Sequence, residues 1–363
     1  MSKKSPLYDI HRELGAAFAD VAGWSMPLRY SSELAEHHAV RTAVGLFDLS
    51  HLGKIEVFGP EAGRALDHAL VGEPSRTPVG QSRYSVLVHE SGGILDDVVV
   101  HRVEASRYLI VCSTVVVCPV LRDRVDGFAV TLQDATNDWA LLALHGPAAA
   151  ALVDEVAEVD TSRLPRHTIS RARLQGMDVL LSRTGGTGED GFEIYCSPGC
   201  GPSVWRALTL VGSGQGLAAC GLASRDMLRL EAGVPAQGRE LTVRVTPFEA
   251  GLGNVVAFDK RASFVGDTAL RARRGVTPSR SLVGLTTAGP TVPRSGHRVL
   301  DRHTREPIGE ITSGEMSPTL GHPVAMAYLR AHRTEPGTEV LVEVGAGREE
   351  AVVTLLPFYR RSL

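Results

Sequence analysis

Two spacings of hydrophobic positions alternate along the chain. Segments 54–58, 82–89, 95–103, 108–112, 129–133 and 139–144 carry branched and aromatic residues in alternation or in short runs, which predicts strands. Segments 95–103 and 108–112 are separated only by Glu104-Ala105-Ser106 and a flanking residue, so they read as a hairpin. Apolar residues at three- and four-residue intervals predict helices over 7–20, from the Ser31-Ser32-Glu33 cap to about Val44, and over 115–125, 146–156, 201–210 and 224–231. A further helix opens at Gly59-Pro60-Glu61 and carries Ala65, Leu66, Ala69 and Leu70. Residues 23–30, aromatic and interrupted by Pro27, read as an ordered loop. A second hairpin spans 171–182, and 192–196 alternates like a strand. Frequent hairpins among helices predict an α+β class with antiparallel sheets. After a linker-like stretch at 275–281, only short strands follow, which predicts a small all-β barrel or sandwich.

Composition adds limits to that picture. The chain has 363 residues, 43% hydrophobic and 22% charged, enough for two or three domains with sizeable cores. Its formal net charge of -3 and the lack of a basic run give no footprint for nucleic acid. The beginning has no apolar signal-peptide core, and no run approaches membrane-spanning length. The 5 cysteines are sparse and odd in number, as expected for free thiols in a reducing, cytoplasmic setting.

Candidate chemistry concentrates at Gly92-Gly93-Ile94-Leu95-Asp96-Asp97. Two glycines turn the chain, a strand begins, and two carboxylates stand side by side before Val98-Val99-Val100. Neighbouring strand residues face opposite ways, so only one Asp of the pair can face an interior pocket. Gly186-Thr187-Gly188-Glu189-Asp190-Gly191 matches G-x-G-x-x-G, but a strand follows where a dinucleotide site needs a helix, and two acids sit in the would-be phosphate cradle. It reads as a glycine-rich hairpin that places Glu193 on the next strand. Arg225, beside a cap read at Ser224, is a cation at a helix N-terminus and therefore needs a partner. His51 reads as a core or supporting histidine. His37-His38 do not share a helix face and make a poor metal pair.

Taken in order, these stretches resemble the glycine cleavage system T-protein family almost end to end. The resemblance rests on Gly23-Trp24-Ser25-Met26-Pro27-Leu28, Glu36-His37-His38-Ala39-Val40-Arg41, Phe47-Asp48-Leu49-Ser50-His51, Gly92 to Asp97, Thr187 to Glu193, Gly221 to Asp226, Leu228-Arg229-Leu230-Glu231-Ala232-Gly233, Thr312-Ser313-Gly314 and Ser317-Pro318-Thr319-Leu320-Gly321. It implies three domains in a cloverleaf around a central folate site. The expected divisions are 1–52 with 146–275, then 53–145 carrying the Asp pair, then an all-β domain at 276–363. It also implies transfer of a one-carbon unit from the aminomethyl-lipoyl arm of H-protein to tetrahydrofolate, with release of ammonia. By the same resemblance, Asp97 is the catalytic carboxylate, and Glu193 and Arg225 contact the folate. No metal is implied.

The chain also departs from the family pattern. Gly186 stands where a pterin-contacting Tyr is usual, Asn254 where a Trp is expected, and Ala236-Gln237-Gly238-Arg239-Glu240 where Leu-Tyr-Gly-x-Glu is common. The tail after Pro357-Phe358 is short, without the folate-contacting Tyr of some members. These losses leave open an alternative: a folate-dependent demethylase or one-carbon transferase that acts on a small molecule.

Overall fold

A computed structural model describes residues 2–345 and 347–361. Its centre is a pair of sheets packed face to face, each covered on its outer side by helices. The first has six strands in the order Ile169–Leu174, Met177–Ser182, Gly191–Cys196, Ala140–His145, Val44–Asp48, Leu217–Ala219. The second has five, in the order Ser82–Val88, Ile94–Glu104, Arg107–Cys112, Gly53–Phe58, Thr131–Asp134, all antiparallel.

Side-chain parity explains the layering. In the six-stranded sheet, Leu46, Leu142, Leu144 and Ile194 pack under helices Ala149–Val156 and Gly201–Gly212, with Trp205 fully enclosed. In the five-stranded sheet, Ile55, Val57, Val98, Val100 and Ile110 pack under helices Ala62–Ala69 and Val117–Arg124. The opposite faces meet each other, where Phe47, Leu141 and Tyr195 of one sheet join Leu109 and Val111 of the other, with Val99 against them. Each fully buried Leu, Val or Phe there contributes about 1.5–3 kcal/mol before chain entropy is subtracted. Asp97 shares parity with Val99, and Glu193 with Tyr195, so both acids point toward this inter-sheet seam.

The third body is a closed barrel of six strands, Arg280–Thr287, His322–Arg330, Pro307–Ser317, Arg298–Asp301, Glu339–Val344 and Gly347–Thr354. It docks on helix Leu222–Glu231 through Leu230, Val324 and Met326, and on residues 241–258 through Tyr328.

Several local expectations change. Only Tyr8–Glu13 of the 7–20 segment is helical, and Ala17–Val21 then forms a hairpin with Trp24–Arg29, so residues 23–30 are largely strand rather than loop. The two turn residues, Ala22 and Gly23, both have positive φ (51° and 81°), the turn that matches strand twist. Ala hides that signal because it rarely adopts such a conformation. Strand Val44–Asp48 was expected as the end of a helix and a lead-in. Helix Leu222–Glu231 is capped by Gly221, not Ser224. Strand Ala140–His145 pairs with Gly191–Cys196 and Val44–Asp48, which removes it from the 53–145 unit. With that change, we propose the three-unit division as read from the sequence.

Candidate functional site

The Asp pair occupies the two faces of strand Ile94–Glu104 that parity requires. Asp96 points to the helix-covered side and is completely buried. One of its oxygens accepts from the Thr114 backbone N–H and hydroxyl, both at 2.8 Å, and the other from the Asp97 N–H at 2.9 Å. It therefore ties the loop after strand Arg107–Cys112 to the Asp strand. Burial, then the neighbouring Asp97 charge, pushes its pKa up to about 7. Asp97 faces the seam and keeps part of its surface exposed. Burial raises its proton affinity, while the Tyr84 hydroxyl and the Arg225 charge hold it back. Tyr84 stands diagonally across from Asp97 on the paired strand, where Val86 is the direct partner.

Glu193 sits across the seam on strand Gly191–Cys196. Its Oε2 accepts from the Thr184 hydroxyl at 2.7 Å and the Tyr195 hydroxyl at 3.0 Å. Oε1 accepts from no described residue. Arg225 reaches toward the same region from helix Leu222–Glu231. Its Nε is buried and has no hydrogen-bond partner among the described residues. Burial lowers the pKa of its guanidinium, and Glu193, Asp226 and Asp97 oppose that shift in descending order. The buried Nε of Arg225 thus lies near two carboxylates without bonding either, and an unsatisfied buried donor costs about 1–3 kcal/mol. The structure thus gathers Asp97, Glu193 and Arg225 from three separate elements around one region. The cap at Gly221 removes the apparent helix-end anomaly: Arg225 lies a full turn inside the helix, near these carboxylates but bonded to neither.

Two histidines border the region. His51 Nδ1 is buried without a partner among the described residues, and burial brings the ring's pKa down to about 4, the Arg225 and Lys54 charges acting in the same direction and Asp48 against. His145 is enclosed, with its pKa down to about 3 from burial, then from the Arg225 charge. Its Nδ1 lies 3.0 Å from the Thr187 hydroxyl. This ring explains the glycine-rich loop. A Cβ on Gly191 would come within 2.6 Å of the His145 ring, and one on Gly185 within 2.8 Å. The glycines make room for a histidine, and no helix follows them, so they build no phosphate cradle.

A second polar cluster joins this loop to the barrel. Arg41 contacts Glu231 at 2.7 Å and Glu189 at 3.0 Å and donates to the Thr187 carbonyl. Glu231 also accepts from Ser317 and Thr319 of the barrel and lies 2.9 Å from His37. His37 thus meets a buried carboxylate, and His38 takes no part in that contact. In the tail, Tyr359 lies 4.0 Å beneath the Arg41 guanidinium, and Arg361 pairs with Glu189.

Departures from the expected pattern also have positions. A Cβ on Gly186 meets nothing within 4 Å, so the space a larger side chain would take is open. Asn254 is exposed on a short turn at Gly253–Val255. Sequence reasoning missed Tyr84, Thr184, Tyr195 and His101. The signal was present in strand period: Tyr195 is two residues from Glu193, and His101 four from Asp97. The broad surface cleft of about 400 Å³ lined by Val243, Arg244, Phe248 and Val276 contains none of the three site residues. All five cysteines are free thiols, and no helix among the described residues is long and apolar enough to cross a membrane.

Known proteins share this arrangement over its whole length. The GCVT N-terminal domain family matches residues 7–260, and the glycine cleavage T-protein C-terminal barrel domain matches 280–360. The aminomethyltransferase of Saccharopolyspora erythraea is 46% identical over 363 residues, covering 99% of each chain. That of Streptomyces coelicolor is 46% identical, covering 99% of this chain and 98% of the relative. The crystal structure of glycine cleavage system aminomethyltransferase T from Bartonella henselae superposes with a TM-score of 0.92 at 35% identity, over 99% of this chain and 98% of that one. With both sheets, the barrel and the seam between them accounted for by these full-length matches, the chain belongs to the glycine cleavage T-protein family.

Proposed function

We propose that Asp97, Glu193 and Arg225 are the working residues of a tetrahydrofolate-dependent aminomethyltransferase. The chain is such an enzyme of the glycine cleavage system: it moves a one-carbon unit to tetrahydrofolate and releases ammonia. In our reading the carrier of that unit is the lipoyl arm of H-protein. The small-molecule alternative is not favoured, since the full-length relatives are aminomethyltransferases.

The residues fit a folate ring. A pterin presents an amino group and a ring N–H along one edge, and a carboxylate can accept both. Glu193 has one oxygen fixed by two protein donors and the other without one. Arg225 brings one buried donor, its Nε, that no described residue uses. Bound tetrahydrofolate supplies the nitrogens that accept the carbon. Asp97, whose proton affinity burial raises, is placed to hold or pass the proton exchanged as the carbon changes nitrogen. Arg225 keeps that carboxylate from becoming too weak an acid.

The carrying observation is the buried Arg225 Nε, without a hydrogen-bond partner among the described residues and near both carboxylates, in a chain with full-length aminomethyltransferase kinship. The test mixes the protein with aminomethylated H-protein and tetrahydrofolate and follows ammonia and 5,10-methylenetetrahydrofolate. Both products should appear in equal amounts. Absence of turnover with an authentic H-protein, in a preparation that binds tetrahydrofolate, overturns the donor assignment.

A further inference from the structure

One buried chain of hydrogen bonds crosses from the five-stranded sheet to the six-stranded sheet, and no step above uses it. Ser82 Oγ lies 2.7 Å from His101 Nδ1. His101 Nε2 lies 3.2 Å from the Tyr195 hydroxyl, and that hydroxyl lies 3.0 Å from Glu193 Oε2. His101 and Tyr195 are both completely buried. Their rings meet edge to face, 5.6 Å between centroids.

The direction of every bond in this chain follows from its ends. A Glu193 carboxylate can only accept, so the Tyr195 hydroxyl donates to it. The phenol's one proton is then committed, and its oxygen must accept from His101 Nε2–H. A neutral imidazole with its proton on Nε2 has a bare Nδ1, which accepts from the Ser82 hydroxyl. Burial pushes His101 down to about 3 and Tyr195 well above its ordinary range, so the ring is neutral and the phenol keeps its proton. All three bonds therefore point the same way, toward Glu193.

We propose that His101 and Tyr195 are positioning residues for the folate-binding carboxylate. Through one inter-sheet hydrogen bond they fix the Glu193 side chain relative to the strand that carries Asp97. The proposal rests on the reading of Glu193 as the group that grips the folate ring. His101 lies four residues beyond Asp97 on the same strand face, so the strand that presents the acting carboxylate also sets the orientation of the gripping one. Glu193 Oε2 is held on its other side by Thr184, in the loop that follows strand Met177–Ser182 of the same sheet. The chain through His101 is the contact that makes the placement depend on how the two sheets meet.

The experiment measures tetrahydrofolate binding by calorimetry and KM and kcat in the aminomethyl-transfer assay. The variants are Tyr195→Phe, His101→Asn, His101→Gln, Glu193→Gln and the double variant Tyr195→Phe/Glu193→Gln, with circular dichroism to confirm folding. Tyr195→Phe deletes one of two donors to a carboxylate and should weaken binding about tenfold, seen chiefly in KM. His101→Asn can reach Ser82 but not Tyr195 and should weaken binding in the same direction. His101→Gln places an amide donor near the lost Nε2–H and should recover most of that loss. The double variant should bind no worse than Glu193→Gln alone. The proposal is overturned if Glu193→Gln binds weakly while folded Tyr195→Phe and His101→Asn bind as wild type does. It is also overturned if the two His101 variants lose affinity equally, or if the Tyr195 and Glu193 effects simply add. Wild-type binding by Glu193→Gln instead removes the reading of Glu193 itself.

Discussion

Two adjacent carboxylates on one strand have different surroundings because the strand gives them different faces. Asp96 accepts three protein hydrogen bonds on a closed side, while Asp97 looks into the seam toward Arg225. Asp97→Asn keeps the shape but loses the ability to exchange a proton, so turnover should fall about 100- to 10,000-fold. Asp96→Asn should lower turnover less than about tenfold, because it disturbs the Thr114 loop rather than the reacting end. Steady-state assays of the two variants at saturating tetrahydrofolate check this, and comparable losses would assign the catalytic role wrongly. Asp96 also has a stability signature. Its folded pKa, about 7, lies above its unfolded value near 3.8. Its contribution is then fully present below about pH 3.9 and lost as pH rises through 7. Urea midpoints of the wild type should carry this decline between pH 4 and 7, and Asp96→Asn should lack that part of the slope.

Elements, more than single side chains, decide how closely the site is assembled. The turn before the Asp strand runs against residues 242–245: Ile94 N–H donates to the Val245 carbonyl at 2.8 Å. A Cβ on Gly93 would lie 1.8 Å from the Val243 carbonyl oxygen. Gly93→Ala must therefore move one backbone or the other, and about 3 kcal/mol of destabilisation is expected, read as a lower thermal midpoint together with weaker tetrahydrofolate binding. A lower midpoint with unchanged binding would show that the turn supports the fold but not the site. Much at this scale was legible in the sequence. Strand period separated Asp96 from Asp97, and the strand after Gly191 ruled out a dinucleotide loop. What was hidden depended on tertiary partners. The His145 ring that requires Gly185 and Gly191 comes from a strand some forty residues away in sequence. The start of helix Leu222–Glu231 was misplaced because Gly221, which carries no capping side chain, gives a weaker signal than Ser224. Val44–Asp48 has no alternation to detect, since all five residues are buried.

At the scale of the whole molecule, the barrel is held to the two-sheet body by charge as well as by apolar contact. Glu231 is where helices Glu33–Thr42 and Leu222–Glu231 meet the barrel. It accepts from Arg41 of helix Glu33–Thr42 and from Ser317 and Thr319 of the barrel, and it lies beside His37. Burial alone would raise its pKa, but His37, Ser317 and Arg41 overcome that and bring it down to about 2. A folded pKa below the unfolded value near 4.5 means the stabilisation is present above about pH 4.5 and lost as pH falls through 2. The difference corresponds to about 3 kcal/mol. Glu231→Gln removes the charge and leaves Arg41 and His37 facing a neutral amide, so it should destabilise by about 3 kcal/mol near neutral pH. The informative measurement is the gap between wild-type and variant stability across pH, because other carboxylates titrate in both proteins and cancel. That gap should be constant above about pH 5 and close as pH falls toward 2. A gap that stays open at low pH would mean Glu231 acts through packing, with the barrel held by its apolar contacts and by Tyr328 and Ser313. Closure of the gap would instead make the same helix that carries Arg225 into the seam the charged hinge pin of the whole assembly.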